Sequence, residues 1–366
     1  MMELNNKPLI VFSHLRWEFV FQRPQHLLTR IAKNTKVYFI EEPITVDNGG
    51  NNQVKTFLDG NIKVIQPIID RANLITELLP IIKDQVLKFE SETPNLWFYS
   101  PEFVEIIDLL DHKLVIYDCM DQLTSFKGAS AQLLDQEKKL LAKADIVFTG
   151  GKSLFEEKKK FAAEVYCFPS SVNAEQFKKA TAVNTLIPDD LKNISHPIVG
   201  YCGVIDERIN YSLLKEVARL RPLVTFYMIG PVVKVSQDEL AQEPNIIYIG
   251  SRPYEQLPNY LKGIDIAIMP FALNESTKFI SPTKTLEYMA AEKPIISTPI
   301  FDVVRDYKEV VAIINTAEEF AEEIDTYLNE PQNIKQQRIN KYDEILAKTS
   351  WDKTAAQMLE IVNSKL

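Results

Sequence analysis

The chain has 366 residues, 46% of them hydrophobic and 25% charged, so it is long enough for two domains that each bury a core. Its formal net charge of −9 argues against a general nucleic-acid-binding protein but is compatible with a local basic pocket. No apolar run approaches the ~20 residues of a transmembrane helix, and three cysteines without metal-like spacing favour a reducing compartment.

Short apolar runs alternate with helical patterns throughout the first half of the chain. Seven runs rich in β-branched and aromatic residues predict strands, at 8–13, 36–41, 62–66, 96–100, 113–118, 145–150 and 165–170. Nearly continuous apolarity is typical of parallel strands that are buried on both faces. The alternation therefore predicts an α/β domain with a doubly wound sheet.

Polar and aromatic residues crowd the segment that follows the first predicted strand. The stretch SHLRWEFVFQRPQH contains His14, Arg16, Trp17, Arg23 and His26. Ligands of doubly wound sheets bind at the carboxyl ends of strands, so we predict that these five residues line a pocket for a sugar or a polar, anionic acceptor. The alternative is a helix that starts at Arg23, with His26 on the surface or in a packed layer.

The segment at 71–92 has a helical pattern that is interrupted by Pro80. Its apolar face fits either packing against the sheet or contact with a lipid or membrane surface. Interfacial helices usually carry many basic residues on their polar face, and this one does not. We therefore expect core packing.

Two carboxylates follow the strand predicted at 113–118. Asp118 and Asp121 lie in VIYDCMDQLTSF, at or just past the carboxyl end of that strand. A carboxylate within hydrogen-bonding reach of a hydroxyl group can take its proton, so Asp118, with Asp121 as second choice, is the candidate general base. The alternative is that Asp118 caps the next turn or forms a structural pair with Arg16 or Arg23.

A polar segment at 173–196, without sustained periodicity, separates this half from a second one. Six further apolar runs predict the strands of another α/β domain, at 197–203, 223–230, 245–250, 265–271, 293–298 and 310–315. We accordingly expect domains at 1–185 and 186–345, followed by a terminal amphipathic helix at 346–366. Two tandem doubly wound sheets leave a cleft between the carboxyl ends of their strands, where ligands bind.

The stretch KFISPTKTLEYMAAEKPIIST predicts a loop, a helix and a buried strand. Ser281 is the expected N-cap, with the following proline at the first helical position. The N–H groups of Thr283 and Lys284, the helix dipole and the lysine charge together suit a diphosphate, so we predict that Ser281, Thr283 and Lys284 bind one. Glu287 lies one turn below on the same face, where a carboxylate can accept hydrogen bonds from the two hydroxyls of a ribose. The alternative is an ordinary helix cap with a Lys284–Glu287 surface pair.

The segment VGYCGVIDERIN adds two residues to this predicted anion site. Gly203 directly follows the first strand of the second domain, and Arg208 lies in the loop that leads to the next helix. A glycine lets a ligand approach the backbone closely, and an arginine binds a diphosphate in bidentate fashion. We therefore predict that Gly203 and Arg208 bind the same ligand as Lys284.

These motifs resemble those of GT-B-fold glycosyltransferases of the glycosyltransferase group 1/family 4 type. SPTKTLEYMAAEKPIIST is similar to the family's nucleotide-sugar helix, with Glu287 at the ribose-binding glutamate and Phe279 where the family has a further glutamate. GYCGVIDERIN is similar to the segment with the diphosphate-binding arginine, here Arg208, and we assign the family's companion lysine to Lys284. The similarity is closest over 195–366, and the histidine that many relatives have near Asp118 is absent.

The resemblance implies a GT-B fold, in which two doubly wound Rossmann-like domains face a central cleft and the terminal helix packs back on the N-terminal, acceptor-side domain. It implies a cytoplasmic hexosyltransferase of polysaccharide biosynthesis. It leaves open whether the protein also contacts the inner face of the membrane peripherally. The donor would be a UDP- or GDP-linked sugar, and the acceptor a glycan, a lipid-linked sugar or a small molecule. The nucleotide-sugar is a co-substrate, so no cofactor is expected. We expect no metal either, because no Asp-x-Asp motif stands at a strand end.

Two other functions remain open at this stage. A nucleotide-sugar epimerase of similar two-domain fold would need several carboxylates and histidines around the sugar ring, which only the cluster after the first strand supplies. A non-catalytic binding protein with a GT-B-like fold is the other alternative.

Overall fold

The computed structural model describes residues 7–46, 53–69 and 74–366. The chain divides into two compact units, Met1–Pro169 together with Trp351–Leu366, and Ser170–Ser350. The boundaries expected from the sequence, at 185/186 and 345/346, differ from this division. Residues that follow Pro169 belong to the second unit because Phe177 and Ala180 are buried in its hydrophobic core.

The first unit is built around a nine-stranded sheet. Its strands are β1 (Leu9–Phe12), β2 (Val37–Ile40), β3 (Ile44–Thr45), β4 (Gln53–Asp59), β5 (Ile62–Ile69), β6 (Asn95–Phe98), β7 (Val115–Cys119), β8 (Ile146–Thr149) and β9 (Val165–Cys167). They run parallel in the order β3-β5-β2-β1-β6-β7-β8-β9, while β4 pairs antiparallel with β5. Every residue of β1, β2, β6, β7 and β8 is buried, which explains their continuous apolarity.

Helices alternate with the strands of this sheet along the chain, as in a doubly wound fold. They are α1 (Arg23–Ile31), α2 (Leu74–Gln85), α3 (Leu133–Lys143), α4 (Lys152–Lys158) and α13 (Trp351–Lys365), with short 3-10 helices at Leu87–Phe89, Pro101–Asp108 and Leu123–Ser125. Helix α13 packs against α1, and Trp351 and Met358 share a core with Leu27 and Leu28. The first unit therefore takes part of its core from the end of the chain.

The second unit contains a six-stranded, fully parallel sheet. Its strands are β10 (Ile198–Cys202), β11 (Thr225–Ile229), β12 (Ile246–Tyr248), β13 (Ile266–Met269), β14 (Ile295–Ser297) and β15 (Ala312–Ile313). They are ordered β12-β11-β10-β13-β14-β15. The strand order reverses at β10 and β13, and ligands of open α/β sheets bind at such a switch point.

Eight α-helices accompany the sheet of the second unit. They are α5 (Ala174–Lys178), α6 (Asp189–Lys192), α7 (Tyr211–Leu220), α8 (Leu257–Gly263), α9 (Thr283–Ala290), α10 (Phe301–Tyr307), α11 (Ala317–Leu328) and α12 (Gln332–Leu346), with 3-10 helices at Lys179–Thr181, Gln237–Glu239 and Tyr254–Gln256. Helix α9 packs on α5, α12 and β14, and these contacts fix the position of its first turn within the unit.

Each of the thirteen strands predicted from apolar runs is present, and the described residues contain two further strands that were not predicted. Strand β3 has two residues, and β4 is mostly exposed, so neither produces an apolar run. Of the helical segment at 71–92, residues 71–73 lie outside the described part. Helix α2 buries Leu78, Ile81 and Ile82 and packs against β5. No helix within the described ranges is long and apolar enough to span a bilayer.

Candidate functional site

The start of α9 presents backbone N–H groups near the switch point of the second sheet. The helix begins at Thr283 with Pro282 as its N-cap, and no side chain caps it. The prediction that Ser281 is the N-cap is therefore wrong by one residue, because Pro282 keeps an extended backbone. Ser281, Thr283 and Lys284 are partly exposed, so the N–H groups of this first turn stand close to solvent.

Lys284 and Glu287 form an ion pair on one face of α9. Lys284 Nζ lies 2.8 Å from Glu287 Oε2, and the side chains are 23% and 5% exposed. Glu287 is thus nearly buried, which separates this contact from the ordinary surface pair considered as its alternative. A buried carboxylate beside a more exposed ammonium group is suited to exchange that partner for ligand hydroxyls.

The loop after β10 is packed too tightly for a side chain at Gly203. A Cβ atom there would lie 2.6 Å from Tyr201 Oη, which itself donates a hydrogen bond to the carbonyl of Val204. Gly230 follows β11 with φ +150°, and a Cβ at that position would lie 1.7 Å from the Gly203 carbonyl oxygen. The two glycines let the ends of neighbouring strands approach each other closely.

Asp206 holds Arg208 through several hydrogen bonds. Arg208 Nη2 donates to Asp206 Oδ2 over 2.7 Å, Nε donates to Oδ1 over 3.0 Å, and the backbone N–H of Arg208 also donates to Oδ1 over 3.0 Å. Asp206 is 4% exposed. Sequence reasoning missed Asp206, although an aspartate two residues before an arginine in a loop is a signal for this type of turn.

Backbone contacts fix the same loop on both sides. The carbonyl of Arg208 accepts a hydrogen bond of 2.7 Å from Ala272 N–H, and Ile209 pairs with Phe271. On the other side, Ile205 forms a parallel bridge with Val232. The loop with Arg208 is therefore tied to the loops that follow β13 and β11, all at the carboxyl edge of one sheet.

The loop after β10 and the start of α9 meet around the end of β10. The hydroxyl of Tyr288 in α9 accepts a 2.8 Å hydrogen bond from Cys202 N–H. Burial raises the pKa of the Cys202 thiol to about 12, against the opposing effect of the Lys284 charge. Burial also raises the pKa of Tyr201. The nearby charge of Arg208 lowers this pKa, and the charge of Glu287 raises it more weakly.

The structure thus gathers around the end of β10 the residues that were predicted to bind a nucleotide in the second unit, which are Gly203, Arg208, Ser281, Thr283, Lys284 and Glu287. Two cationic side chains and a helix start can hold a diphosphate, and Glu287 can accept hydrogen bonds from neighbouring hydroxyls. Within the described part of the chain, no three His, Cys, Asp or Glu side chains form a group that could hold a metal ion.

In the first unit, Asp118 forms a buried ion pair with Arg23. Arg23 Nη2 lies 2.8 Å from Asp118 Oδ1, and the side chains are 2% and 0% exposed. Burial works against the charge of Arg23, but the Asp118 carboxylate outweighs it and raises the pKa of Arg23. This is the structural pair that the sequence left open, and it does not fit Asp118 as an accessible base, because its carboxylate is enclosed and neutralised.

Two other members of the predicted acceptor cluster are also structural. Trp17 is 6% exposed, and its indole N–H donates to Asp59 Oδ2 over 2.9 Å while Glu41 and Gln25 bind its backbone. His26 is buried and stacks on Trp351, with ring centroids 4.7 Å apart. His26 thus lies in a packed layer, which is the alternative that the sequence left open.

His14, Arg16 and Asp121 remain as candidates in the first unit. Arg16 is exposed, while His14 and Asp121 are half-buried. All three lie in the loops that follow β1 and β7, at the carboxyl edge of the first sheet. Their roles stay predictions.

Comparison with known proteins gives a family for part of the chain. Residues 196–330 match the sequence model of the family described as Glycosyl transferases group 1. Over 221 residues the chain is 29% identical to TuaH of Bacillus subtilis (strain 168), a candidate teichuronic acid biosynthesis glycosyltransferase. That alignment covers 56% of this chain and 55% of TuaH, so the match spans about half the length of the curated relative.

Solved structures match nearly the whole chain in fold. A sucrose-phosphate synthase from Thermosynechococcus elongatus is 15% identical with a TM-score of 0.72, covering 97% of this chain and 98% of its own. An α,α-trehalose-phosphate synthase (UDP-forming) from Burkholderia vietnamiensis is 12% identical with a TM-score of 0.72, covering 99% of both chains. At these identities the matches concern the fold, and they confirm the GT-B architecture expected from the sequence.

Proposed function

We propose that this chain, whose second unit contains a glycosyl transferases group 1 domain on a GT-B fold, transfers a sugar from a nucleotide diphospho-sugar to an acceptor. One observation carries the proposal: Arg208, Lys284 and Glu287 surround the end of β10 at the switch point of a parallel sheet. That edge is where doubly wound sheets bind nucleotides.

The donor diphosphate lies against Arg208, Lys284 and the N–H groups at the start of α9. Negative charge on the leaving nucleotide grows as the bond to the sugar breaks, so these groups stabilise the transition state more than the bound donor. Glu287 receives the ribose hydroxyls once Lys284 turns to the phosphates. We propose that this charge compensation makes the transfer independent of a metal ion and of any other cofactor.

The nucleotide we favour is UDP, with GDP as the alternative. Structural neighbours with this fold include trehalose-phosphate synthases described as UDP-forming. TuaH is described as a glycosyltransferase of teichuronic acid biosynthesis. This description supports a polysaccharide or a lipid-linked precursor as the acceptor. Peripheral contact with a membrane would follow from a lipid-linked acceptor and belongs to the same proposal.

The first unit supplies the acceptor side in this proposal. His14 and Arg16 orient the acceptor, and Asp121 takes the proton of the attacking hydroxyl, because Asp118 is bound to Arg23.

The test combines nucleotide binding with turnover. The purified chain is titrated with UDP and GDP by calorimetry and then incubated with radiolabelled UDP- and GDP-sugars. We expect UDP binding, weaker binding by the Arg208→Ala variant, and transfer to an envelope extract or slow hydrolysis. Epimerisation of the labelled sugar, or binding without any turnover, would replace the proposal with one of the two alternatives.

A further inference from the structure

A lysine–glutamate pair is buried in the first unit, outside the predicted site residues. Lys158 Nζ lies 2.7 Å from Glu137 Oε1, and the side chains are 3% and 5% exposed. Glu137 belongs to α3 and Lys158 to α4, the helices before and after β8. Tyr117 of β7 donates a 2.9 Å hydrogen bond to the same Glu137 oxygen.

Both charged groups also bind Gln122, in the loop that follows β7. Lys158 Nζ donates to Gln122 Oε1 over 2.7 Å, and Gln122 Nε2 donates to Glu137 Oε2 over 3.1 Å. The same Gln122 amide donates to Thr124 Oγ1. Gln122 is therefore held from both ends of its amide by a buried ion pair.

The start of this loop is fixed as well. The N–H of Gly150 donates to the carbonyl of Cys119 over 2.9 Å, and a Cβ atom at Gly150 would lie 2.6 Å from the Met120 carbonyl oxygen. Asp121 stands between this close approach and Gln122. Contacts of the Cys119 carbonyl and of the Gln122 side chain thus flank Asp121 on both sides, at the carboxyl end of β7.

Removing two charges from water costs about as much as their attraction returns, so a buried ion pair is a poor source of stability. A pair that also binds a loop instead selects one conformation of that loop. The loop selected here carries Asp121 and lies at the sheet edge where ligands of doubly wound folds bind.

We propose that Lys158 and Glu137 are positioning residues, which hold Gln122 so that Asp121 faces the acceptor in one fixed orientation. This inference rests on the proposed glycosyl transfer, because it assigns the loop after β7 to the acceptor side of that reaction. Lys158 and Glu137 themselves touch no substrate and act through Gln122.

The test uses the full chain with the double substitution Lys158→Met/Glu137→Gln, which leaves the net charge unchanged and keeps a hydrogen-bonding group for Tyr117. The matched control is Arg338→Met/Glu330→Gln, which removes another buried pair, 2.7 Å apart, in the second unit. Three quantities are measured for each variant: the melting temperature, hydrogen–deuterium exchange over residues 120–126, and hydrolysis of a panel of UDP- and GDP-hexoses with water in place of the acceptor.

We expect the Lys158→Met/Glu137→Gln variant to melt near the wild-type temperature, since both charges leave together. Exchange over 120–126 should be at least about 10-fold faster, because the loop loses its anchors. Hydrolysis should show a kcat lowered by about 10-fold or more with the donor KM unchanged, as expected when a reacting group is misplaced. The control should leave both the loop exchange and this kcat at wild-type values.

Unchanged exchange over 120–126 overturns the positioning role whether or not any hydrolysis is detected. Faster exchange with an unchanged kcat overturns the assignment of the loop to the reaction. A wild-type chain that binds neither UDP nor GDP and hydrolyses no sugar linked to either nucleotide refutes the proposed function itself, and the acceptor role of the loop falls with it. These three results are distinct, so failure of the inference is separable from failure of the proposed function.

Discussion

Arg208 is held by a carboxylate, so its effect on a bound diphosphate depends on two opposing contributions of Asp206. The negative charge of Asp206 repels phosphate oxygens, while its hydrogen bonds hold the guanidinium group in one rotamer. Holding a long side chain in place avoids an entropy cost of ~1 kcal/mol on binding. Because Asp206 is buried next to Arg208, both the repulsion of phosphate oxygens and the fixed guanidinium rotamer affect diphosphate binding.

We expect Asp206→Asn to weaken UDP binding by about 3- to 10-fold, because the loss of preorganisation outweighs the loss of repulsion. Calorimetric titration with UDP and with inorganic pyrophosphate measures the effect. The opposite sign, tighter pyrophosphate binding by the variant, would show that Asp206 acts mainly through its charge. Glu243→Gln, which removes the carboxylate beside Arg219 on the surface, serves as the control.

Glu287→Ala should lower the affinity for UDP by about 10-fold or more, since two hydrogen bonds from the ribose hydroxyls to a charged group are lost. The affinity for inorganic pyrophosphate should hardly fall, because Lys284 is then released from its pair. Comparison of the two ligands by calorimetry separates these contributions. Equal UDP affinity in Glu287→Ala and wild type would remove Glu287 from the ribose site.

Lys293 gives a pH-dependent prediction. Burial lowers the pKa of this lysine to about 8 from its ordinary value of 10.5. Between these two pH values the unfolded chain binds more protons than the folded chain, so the contribution of Lys293 to stability rises with pH. Below pH 8 the lysine is charged in both states and the folded chain bears the full cost of burying the charge.

Lys293→Met should therefore raise the free energy of unfolding at pH 7, by about 1–3 kcal/mol. The gain should shrink as the pH approaches 10. Urea denaturation of wild type and variant at pH 7, 8.5 and 10 gives the difference at each pH, and the exposed Lys341→Met is the control. A gain that stays constant over this range would contradict the lowered pKa.

At the scale of elements, α9 is fastened to β10 by one buried side chain. Tyr288 is fully buried and accepts a hydrogen bond from the N–H of Cys202, the last residue of β10. This contact joins the element with Lys284 and Glu287 to the strand that leads into the Arg208 loop. The relative placement of the cationic groups therefore depends on Tyr288.

Tyr288→Phe should destabilise the second unit by about 1–3 kcal/mol, because it leaves the buried Cys202 N–H without this acceptor. Differential scanning calorimetry measures the loss, and UDP affinity should fall with it. Tyr307→Phe, at the end of α10, is the control within the same unit. A variant with wild-type stability and UDP affinity would show that the contact is dispensable.

The elements themselves were largely predictable, and the site only in part. Buried parallel strands are recognisable in the sequence as apolar runs. The stretch at the start of α9 contains its cation, its carboxylate and its helix start within seven residues, so it too is recognisable. The Asp118–Arg23 pair joins residues that are far apart in the sequence, so its formation depends on packing that no local pattern reports. Likewise, Trp17 and His26 looked like pocket residues because their types suit ligands, whereas their partners Asp59 and Trp351 come from distant segments.

At the scale of the whole molecule, the chain passes from the first unit to the second and back again. The returning segment is α13, whose buried Trp351, Met358 and Val362 complete the core of the first unit. The second unit contains its own core and all six residues of its candidate site. The two units should therefore respond differently to loss of the segment at 351–366.

We expect a chain that lacks 351–366 to lose the cooperative melting of its first unit, because several fully buried side chains are removed at once. The second unit should still melt cooperatively and bind UDP with wild-type affinity. Calorimetric scans with and without UDP, together with titration, test both statements. Retention of two wild-type transitions would show that α13 adds little to the first core.

Because the chain leaves the first unit and returns to it at Trp351, the core of the first unit is completed only at the end of synthesis. The ribosome must add about 180 residues, the whole second unit, between Pro169 and Trp351. At roughly 5–20 residues per second this takes about 10–40 s, during which the second unit has time to fold. Throughout that interval the apolar side of α1, with Leu27 and Leu28, lacks the cover that α13 later provides. The core of the first unit is thus the last to be completed, and until then the nascent chain exposes apolar surface of the kind that chaperones bind.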